Sequence, residues 1–379
     1  MNSLPAPSRA DTVIVGMSGG VDSAVAALLL KQAGHAVEGL FMANWDDDDG
    51  YCTTAGDFQD ARRTCDQLDI PLHRVSFAAE YRERVFAHFL REYAAGRTPN
   101  PDVLCNREIK FGVCLKYMHR LGAAWVATGH YARLRRTAQG VQLLKAADLS
   151  KDQSYFLHQV PAEALSQTMF PLGDLRKDEV RRRAHAAGLV VYDKPDSTGI
   201  CFIGERPFEE FITGHLRPEP GPIEDAAGHV IGTHRGLAVY TLGQRSGLRI
   251  GGRAGAAAAP WFVAAKDRSR NALIVVQDPD HPLLLSDSFD IEHLHWLGDA
   301  EPGALADGTL GVKTRYRQSD LPCEVELDAD TVRVRLRAPA RSVTPGQYAV
   351  FYRGDLCLGG GVIARRRNSQ AAAPSPEAA

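Results

Sequence analysis

The stretch TVIVGMSGGVDSAVAALLLKQAGHAVEGLFM, residues 12–42, decides the fold. Thr12–Val15 is a short apolar run rich in β-branched residues, and it ends in Gly16-Met17-Ser18-Gly19-Gly20. Val21–Gln32 follows with Val21, Val25, Leu28 and Leu29 on one helical face and Gly34 just past the end. Val37–Met42 reads as a second strand. A strand, a glycine turn, a helix and a strand make a βαβ unit of a parallel sheet. The glycines let backbone approach a ligand, and the amides opening the helix favour an anion. Ser18 and Ser23 add donors, and Asp22 is placed to hold a metal that neutralises phosphate charge. The loop lacks the GK[ST] ending of a Walker loop. A tight turn with no ligand is the plain alternative.

The same alternation continues outward. Helices are expected over 55–68, 81–94 and 106–121, with strands at Leu72–Phe77 and Trp125–Thr128. Such sheets bind ligands beyond the carboxyl ends of their strands, where Gly16 and Gly129 both stand. The acidic run Asp46–Asp49 reads as a solvated loop, and Arg181-Arg182-Arg183 fan around a helix without forming one cradle.

At roughly 150 residues per domain, 379 residues imply two or three domains. The boundaries expected are 10–210 for the nucleotide-binding unit, 211–284 for a linking unit of no assigned class, and 285–367 for a small antiparallel barrel or sandwich. The last of these rests on Thr331–Arg337, where Val332, Val334 and Leu336 alternate with arginines. Residues 368–379 are too poor in apolar side chains for a core and are expected to be disordered. No window approaches the run of about 18 apolar residues that a membrane helix needs. No signal peptide is read at the start, so a cytoplasmic protein with reduced thiols is expected.

Net charge is 44 − 46 = −2, which argues against a general nucleic-acid binder. Residues 311–370, however, hold 11 basic and 6 acidic side chains, an excess of +5 that leaves 33 − 40 = −7 elsewhere. This suits an anionic partner on one face, or simply a solvated strand surface.

None of the seven cysteines forms a CxxC pair or shows zinc-ligand spacing, so no metal site is expected among them. Cys105 follows Asn100-Pro101-Asp102 and precedes the helix expected from Asn106, with Arg107 and Lys110 nearby. Amides opening a helix would stabilise its thiolate. Cys201 lies in the turn-rich DSTGICF, residues 196–202. A buried structural thiol is the common alternative for both, and it is the reading for Cys65, Cys114, Cys323 and Cys357.

GMSGGVDS, NPDVLCNREIKFG, ATGHY, KDQSYFL, DSTGICFIGER, TLGQR, VKTRYRQ and VTPGQYAVFY occur in the order seen in tRNA-specific 2-thiouridylases. The chain resembles that family from about residue 12 to 364, with no departure inside these motifs. SGGVDS alone resembles the wider PP-loop ATP pyrophosphatases. The resemblance implies an α/β parallel-sheet PP-loop domain, adenine nucleotide alpha hydrolase-like, followed by a small linking domain and a C-terminal antiparallel β-barrel. It implies ATP with Mg2+, held at Gly16, Met17, Ser18, Gly19, Gly20, Val21, Asp22, Ser23, Met42 and Gly129. Asn100, Pro101 and Asp102 would face the target uridine, with Cys201 the persulfide carrier and Cys105 its partner thiol. His130, Lys151, Asp152, Gln153, Arg315, Tyr316 and Gln347 would contact tRNA. A sulfur-relay protein or cysteine desulfurase would donate the sulfur. Two rivals remain at this point. A small-molecule amide-forming ATP pyrophosphatase accounts for neither cysteine, and a non-catalytic RNA-binding module leaves SGGVDS unexplained.

Overall fold

The computed structural model describes residue 8 and residues 11–45, 54–196, 207–250, 259–298, 310–327 and 332–369. Expectations for Cys201, the Asp46–Asp49 run and the tail beyond 369 fall outside them.

β1 (Thr12–Gly16), α1 (Val21–Gln32), β2 (Ala36–Ala43), α2 (Thr54–Leu68) and β3 (Leu72–Ser76) follow one another as the periodicity requires. With β4 (Trp125–Ala127) and β7 (Thr168–Met169) the strands form a parallel sheet in the order β3-β2-β1-β4-β7. The sheet is covered on both faces: Ile14 packs into one core with Leu40, while Val13 and Val15 enter another with Val25. α1 is buried on more than the single face expected. Its alanines 24, 26 and 27 are all inside, because α2 and the helix Lys177–Ala186 also pack against it.

Two long helices run over 78–94 and 101–120, and each contains a π-helical stretch, Arg82–Phe86 and Cys105–Cys114. The second helix corrects an expectation. It starts at Pro101 rather than Asn106, since Asn100 accepts the Asp102 amide at 3.1 Å and so caps it. Proline fits the first helical turn because its missing N–H would have had no partner there.

The middle region holds β8 (Gly221–Asp225), β9 (Val230–His234), β10 (Phe262–Asp267) and β11 (Ala272–Val276), which form a four-stranded sheet in the order β10-β11-β8-β9. Ile223, Tyr240, Val263 and Val275 fill its core. The C-terminal strands are β12 (Leu285–Trp296), β13 (Leu310–Lys313), β14 (Leu321–Leu327), β15 (Val332–Arg341), β16 (Tyr348–Arg353) and β17 (Leu356–Arg367). Pairing of β12 with β17 closes them into a barrel around Phe289, Val334 and Phe351.

The N-terminal region also contributes to that sheet. Its hairpin β5 (Arg133–Thr137) and β6 (Gly140–Leu144), which local periodicity does not announce, pairs with β17 at Leu144–Leu356 and Leu143–Cys357. Tyr155 donates to the Tyr348 carbonyl at 2.9 Å and Ser154 shares a 3.1 Å hydrogen bond with Tyr352, both buried. Among the described residues, no helix is long and apolar enough to cross a membrane.

The basic stripe on β15 is largely paired. Arg335 meets Glu326 at 2.7 Å, and Asp290 holds Arg333 at 3.1 Å and Arg367 at 2.6 Å. The local positive excess is thus partly neutralised by cross-strand partners. Much of the stripe is accounted for within the sheet.

Candidate active site

The phosphate loop begins where β1 ends. Gly19 takes a φ of +78°, and a Cβ there would lie 2.3 Å from the Asp57 carbonyl oxygen, so only glycine fits. Gly20 stands at the N-cap of α1 in extended geometry, and no side chain caps the helix. The serine hydroxyls organise the loop: Ser23 Oγ donates to the Gly20 carbonyl at 3.1 Å, accepts from the Ser18 amide at 3.1 Å, and lies 3.2 Å from Ser18 Oγ. The helix therefore presents uncapped amides and its positive dipole end, the arrangement that suits a phosphate. Gly129, at the end of neighbouring β4, closes the cradle. A Cβ there would sit 2.7 Å from the Ser23 nitrogen. Met42 is half-buried near the end of β2, beside Val75 of β3.

A network of charged side chains surrounds the loop. Lys177 Nζ reaches both Asp22 oxygens, at 2.7 and 2.8 Å, and Asp196 at 2.8 Å. Asp196 also accepts from Lys151 at 2.7 Å and Arg181 at 2.9 Å. Burial acts to raise the Asp196 carboxyl, but Lys151 and Lys177 outweigh it and hold it down to about 2. Tyr131 donates to Asp22 at 2.8 Å, and burial beside that carboxylate pushes its phenol above the ordinary range. Lys194 bonds the Gly19 carbonyl at 3.0 Å together with Asp57 and Asp60. Sequence reading missed Lys177, Tyr131 and Lys194. Tyr131 and Asp196 did lie inside the motifs ATGHY and DSTGICFIGER.

Three motifs converge beside the loop. Gln153 accepts the Tyr131 amide at 3.0 Å. Asn106, next to Cys105, donates to the Phe156 carbonyl at 3.1 Å. His130, adjacent to Gly129, packs between Phe111 and Phe170 and accepts or donates at Thr128 Oγ1, 2.7 Å away. Burial holds its imidazole well below the usual range, so the ring is neutral. Cys105 is only 2% exposed. It lies in the second turn of the 101–120 helix, not at its N-terminus, so the expected help from free terminal amides is reduced. Asp102 is raised by burial against the opposing pull of Lys110. The remaining described cysteines, 65, 114, 323 and 357, are buried with thiols pushed up to about 12, as inert core thiols are.

The residues expected to meet tRNA divide by environment. Asp152 is buried, accepting from the Ala146 and Ser154 amides with Lys313 at 3.6 Å. Arg315 donates to the carbonyls of Leu242 and Ser342 at 2.9 and 2.8 Å, joining the middle region to the barrel. Gln347 donates to the Thr98 carbonyl at 2.8 Å. Tyr316 is half-buried against Phe156, with ring centroids 4.3 Å apart. These contacts tie regions of the protein together, while Lys151 belongs to the network at the phosphate loop.

Comparison with known proteins agrees with this organisation. Residues 11–205 match the tRNA methyl transferase HUP domain, 209–277 the tRNA methyl transferase PRC-barrel domain, and 286–363 the aminomethyltransferase beta-barrel domain. The tRNA-specific 2-thiouridylase MnmA of Chromohalobacter salexigens is 56% identical over 354 residues, 93% of this chain and 92% of that protein. The protein of that name from Verminephrobacter eiseniae is 56% identical over 364 residues, covering 93% and 98% respectively. The solved U34-tRNA thiolase NcsA from Methanococcus maripaludis is 18% identical, covering 56% of this chain and 67% of its own, at a TM-score of 0.35. With identity above half across nearly the full length of both chains, the chain belongs to the tRNA-specific 2-thiouridylase family.

Proposed function

We propose that this protein thiolates the wobble uridine of tRNA at C2, using ATP and a cysteine persulfide. The observation that carries the reading is the convergence at Gly129-His130. Gly129 packs against the uncapped start of α1, while His130 packs on Phe111 of the helix that carries Cys105. A nucleotide cradle and a thiol-bearing helix are thereby joined by two consecutive residues.

In this reading Gly16–Ser23, Met42 and Gly129 hold ATP, and Asn100, Pro101 and Asp102 face the uridine. Uridine O2 attacks the α-phosphorus and pyrophosphate leaves, turning O2 into part of an AMP leaving group. Mg2+ would accompany the nucleotide and offset its charge; Asp22 is the loop's only carboxylate, and to hold the ion it would have to exchange the Lys177 ammonium that spans its two oxygens. The terminal sulfur of a Cys201 persulfide then displaces AMP from C2, either directly or as sulfide freed when Cys105 first attacks the inner sulfur. Direct attack gives a Cys201 Sγ–S–C2 link, whose S–S bond Cys105 cleaves by attacking Sγ to release the 2-thiouridine. Both branches leave a Cys105–Cys201 disulfide, which a thiol reductant must open before the next turnover. The persulfide comes from a sulfur-relay protein or cysteine desulfurase, and the setting is the reducing cytoplasm.

Product analysis tests the reading. AMP and pyrophosphate should appear only when tRNA is supplied, and Asp22→Ala should stop turnover while tRNA still binds. Release of ADP and inorganic phosphate would end it. Nucleotide cleavage that is indifferent to tRNA would favour a small-molecule ligase.

A further inference from the structure

The segment just before the Asn100-Pro101-Asp102 turn is held by both other regions of the protein. Thr98 is buried, and both its backbone polar groups go to the barrel: its amide donates to the Pro345 carbonyl at 3.0 Å, and its carbonyl accepts from Gln347 Nε2 at 2.8 Å. Its hydroxyl lies 3.4 Å from that of Thr241 in the middle region. Arg97 joins Glu92 of the preceding helix to Glu292 of the barrel, the latter at 2.9 Å. Lys266, on β10, donates to the Gly96 carbonyl at 3.2 Å. Gly346 has a φ of +90°, and a Cβ there would lie 2.8 Å from the Thr98 nitrogen. Three successive residues, 96 to 98, thus carry the junction of all three regions.

The chain immediately after Thr98 is stiff. Pro99 and Pro101 fix φ on either side of Asn100, and Asn100 caps the helix that contains Asp102 and Cys105. Displacement at Thr98 has little slack in which to dissipate before Cys105. We propose that Gln347 and Glu292 are positioning residues: through Thr98 and Arg97 the barrel sets the placement of the Asn100–Asp102 turn and of Cys105. The barrel is then part of the catalytic apparatus and not only a surface for RNA. A direct RNA contact by Gln347 is the competing role.

The inference rests on the thiolation reading for its kinetic test, and on thiol accessibility for a test that needs no activity. Gln347→Leu keeps most of the side-chain volume and removes the donor, while Glu292→Gln weakens the grip on Arg97 and leaves Glu92 in place. In the full-length protein, both variants should lower kcat, Gln347→Leu by about tenfold, which is ~1.4 kcal/mol of lost positioning. For Glu292→Gln, the Kd for tRNA should stay within about twofold of wild type, a change under ~0.5 kcal/mol. Without tRNA or ATP, iodoacetamide should label Cys105 faster in both variants, as read by peptide mass spectrometry. Melting temperatures recorded alongside separate loosening at the turn from global unfolding, which would speed labelling of Cys65 and Cys323 as well. Unchanged Cys105 labelling, with weaker tRNA binding and intact kcat, would overturn the proposal and make Gln347 an RNA contact. Labelling of all buried cysteines together would also overturn it, since that is general destabilisation. If wild type fails to thiolate tRNA, the function reading fails while the labelling result still stands or falls by itself.

Discussion

Lys177 and Asp22 lie 155 residues apart in sequence, yet the lysine ammonium spans both oxygens of the aspartate at 2.7 and 2.8 Å. The same ammonium holds Asp196 at 2.8 Å, five residues before Cys201 in sequence. One half-buried cation therefore links the phosphate loop to the start of the DSTGICF segment. Lys177→Met should leave two carboxylates facing one another across the gap. Asp196 keeps Lys151 and Arg181, so the loss of stability should be modest, about 1–3 kcal/mol. ATP affinity should fall more clearly than tRNA affinity. Titration calorimetry with each ligand distinguishes the two, and an unaltered ATP affinity would contradict the role given to this lysine.

Gly129→Ala should be more severe than its one added methyl suggests. The Cβ would lie 2.7 Å from the Ser23 nitrogen and 2.8 Å from the Asp22 carbonyl carbon, both backbone atoms that cannot swing aside. Overpacking of this kind costs ~1–3 kcal/mol, so ATP binding should weaken about ten- to hundredfold. Wild-type ATP affinity in this variant would show that the cradle has more slack than its geometry indicates.

The two thiols should separate by function. Cys201→Ser should carry no persulfide, whereas Cys105→Ser should load sulfur and fail to finish the transfer. Both should still bind ATP, because the phosphate loop contains neither residue. Incubation with a cysteine desulfurase and relay protein, followed by peptide mass analysis, reads the added sulfur directly. Persulfide found mainly on Cys105 would reverse the assignment.

Stability should decline on mild acidification. His158 is fully buried, its Nδ1 sits 2.7 Å from the Tyr155 carbonyl, and burial lowers its pKa from 6.5 to about 3. His130 is lowered in the same direction by the same cause. A lowered folded value means that unfolding takes up a proton below the unfolded value. Both contributions are complete above pH 6.5 and are lost as pH falls below it, that of His158 over the range down to about 3. Each histidine contributes a slope of up to ~1.4 kcal/mol per pH unit. Urea unfolding at pH 7.5, 6 and 5 measures it, and constant stability across that series would refute the assignment.

Arg315→Ala should act on the protein before it acts on RNA. Its guanidinium donates to carbonyls of the middle region and the barrel, and such charged hydrogen bonds are worth ~1.5–3 kcal/mol. Melting temperature should drop, and the salt slope of tRNA binding should change by less than the roughly 0.7–0.9 expected of one lost phosphate contact. A stable variant with a full unit of slope lost would restore Arg315 to the RNA surface. Deleting the barrel is a poor substitute for such point variants, because β6 and Tyr155 would lose their partners on β17 and Tyr348.

The sequence by itself determined what is local. The run Thr12–Val15, the glycines after it and the spacing of Val21, Val25 and Leu28 dictate a strand, a phosphate loop and a helix, because steric and hydrophobic periodicity act over a few residues. The alternation on β15 was equally legible, as were the motifs that mark the family. Only the tertiary structure decided which distant groups meet. Nothing near Lys177 in sequence announces Asp22, nor does the 133–144 hairpin announce its place beside β17. The capping of the helix by Asn100, with Pro101 in its first turn, which moved Cys105 from a helix start into a buried second turn, was within reach of local rules. The meeting of Thr98 with Gln347, 249 residues later, was not, since pairing over such distances depends on how whole layers pack together.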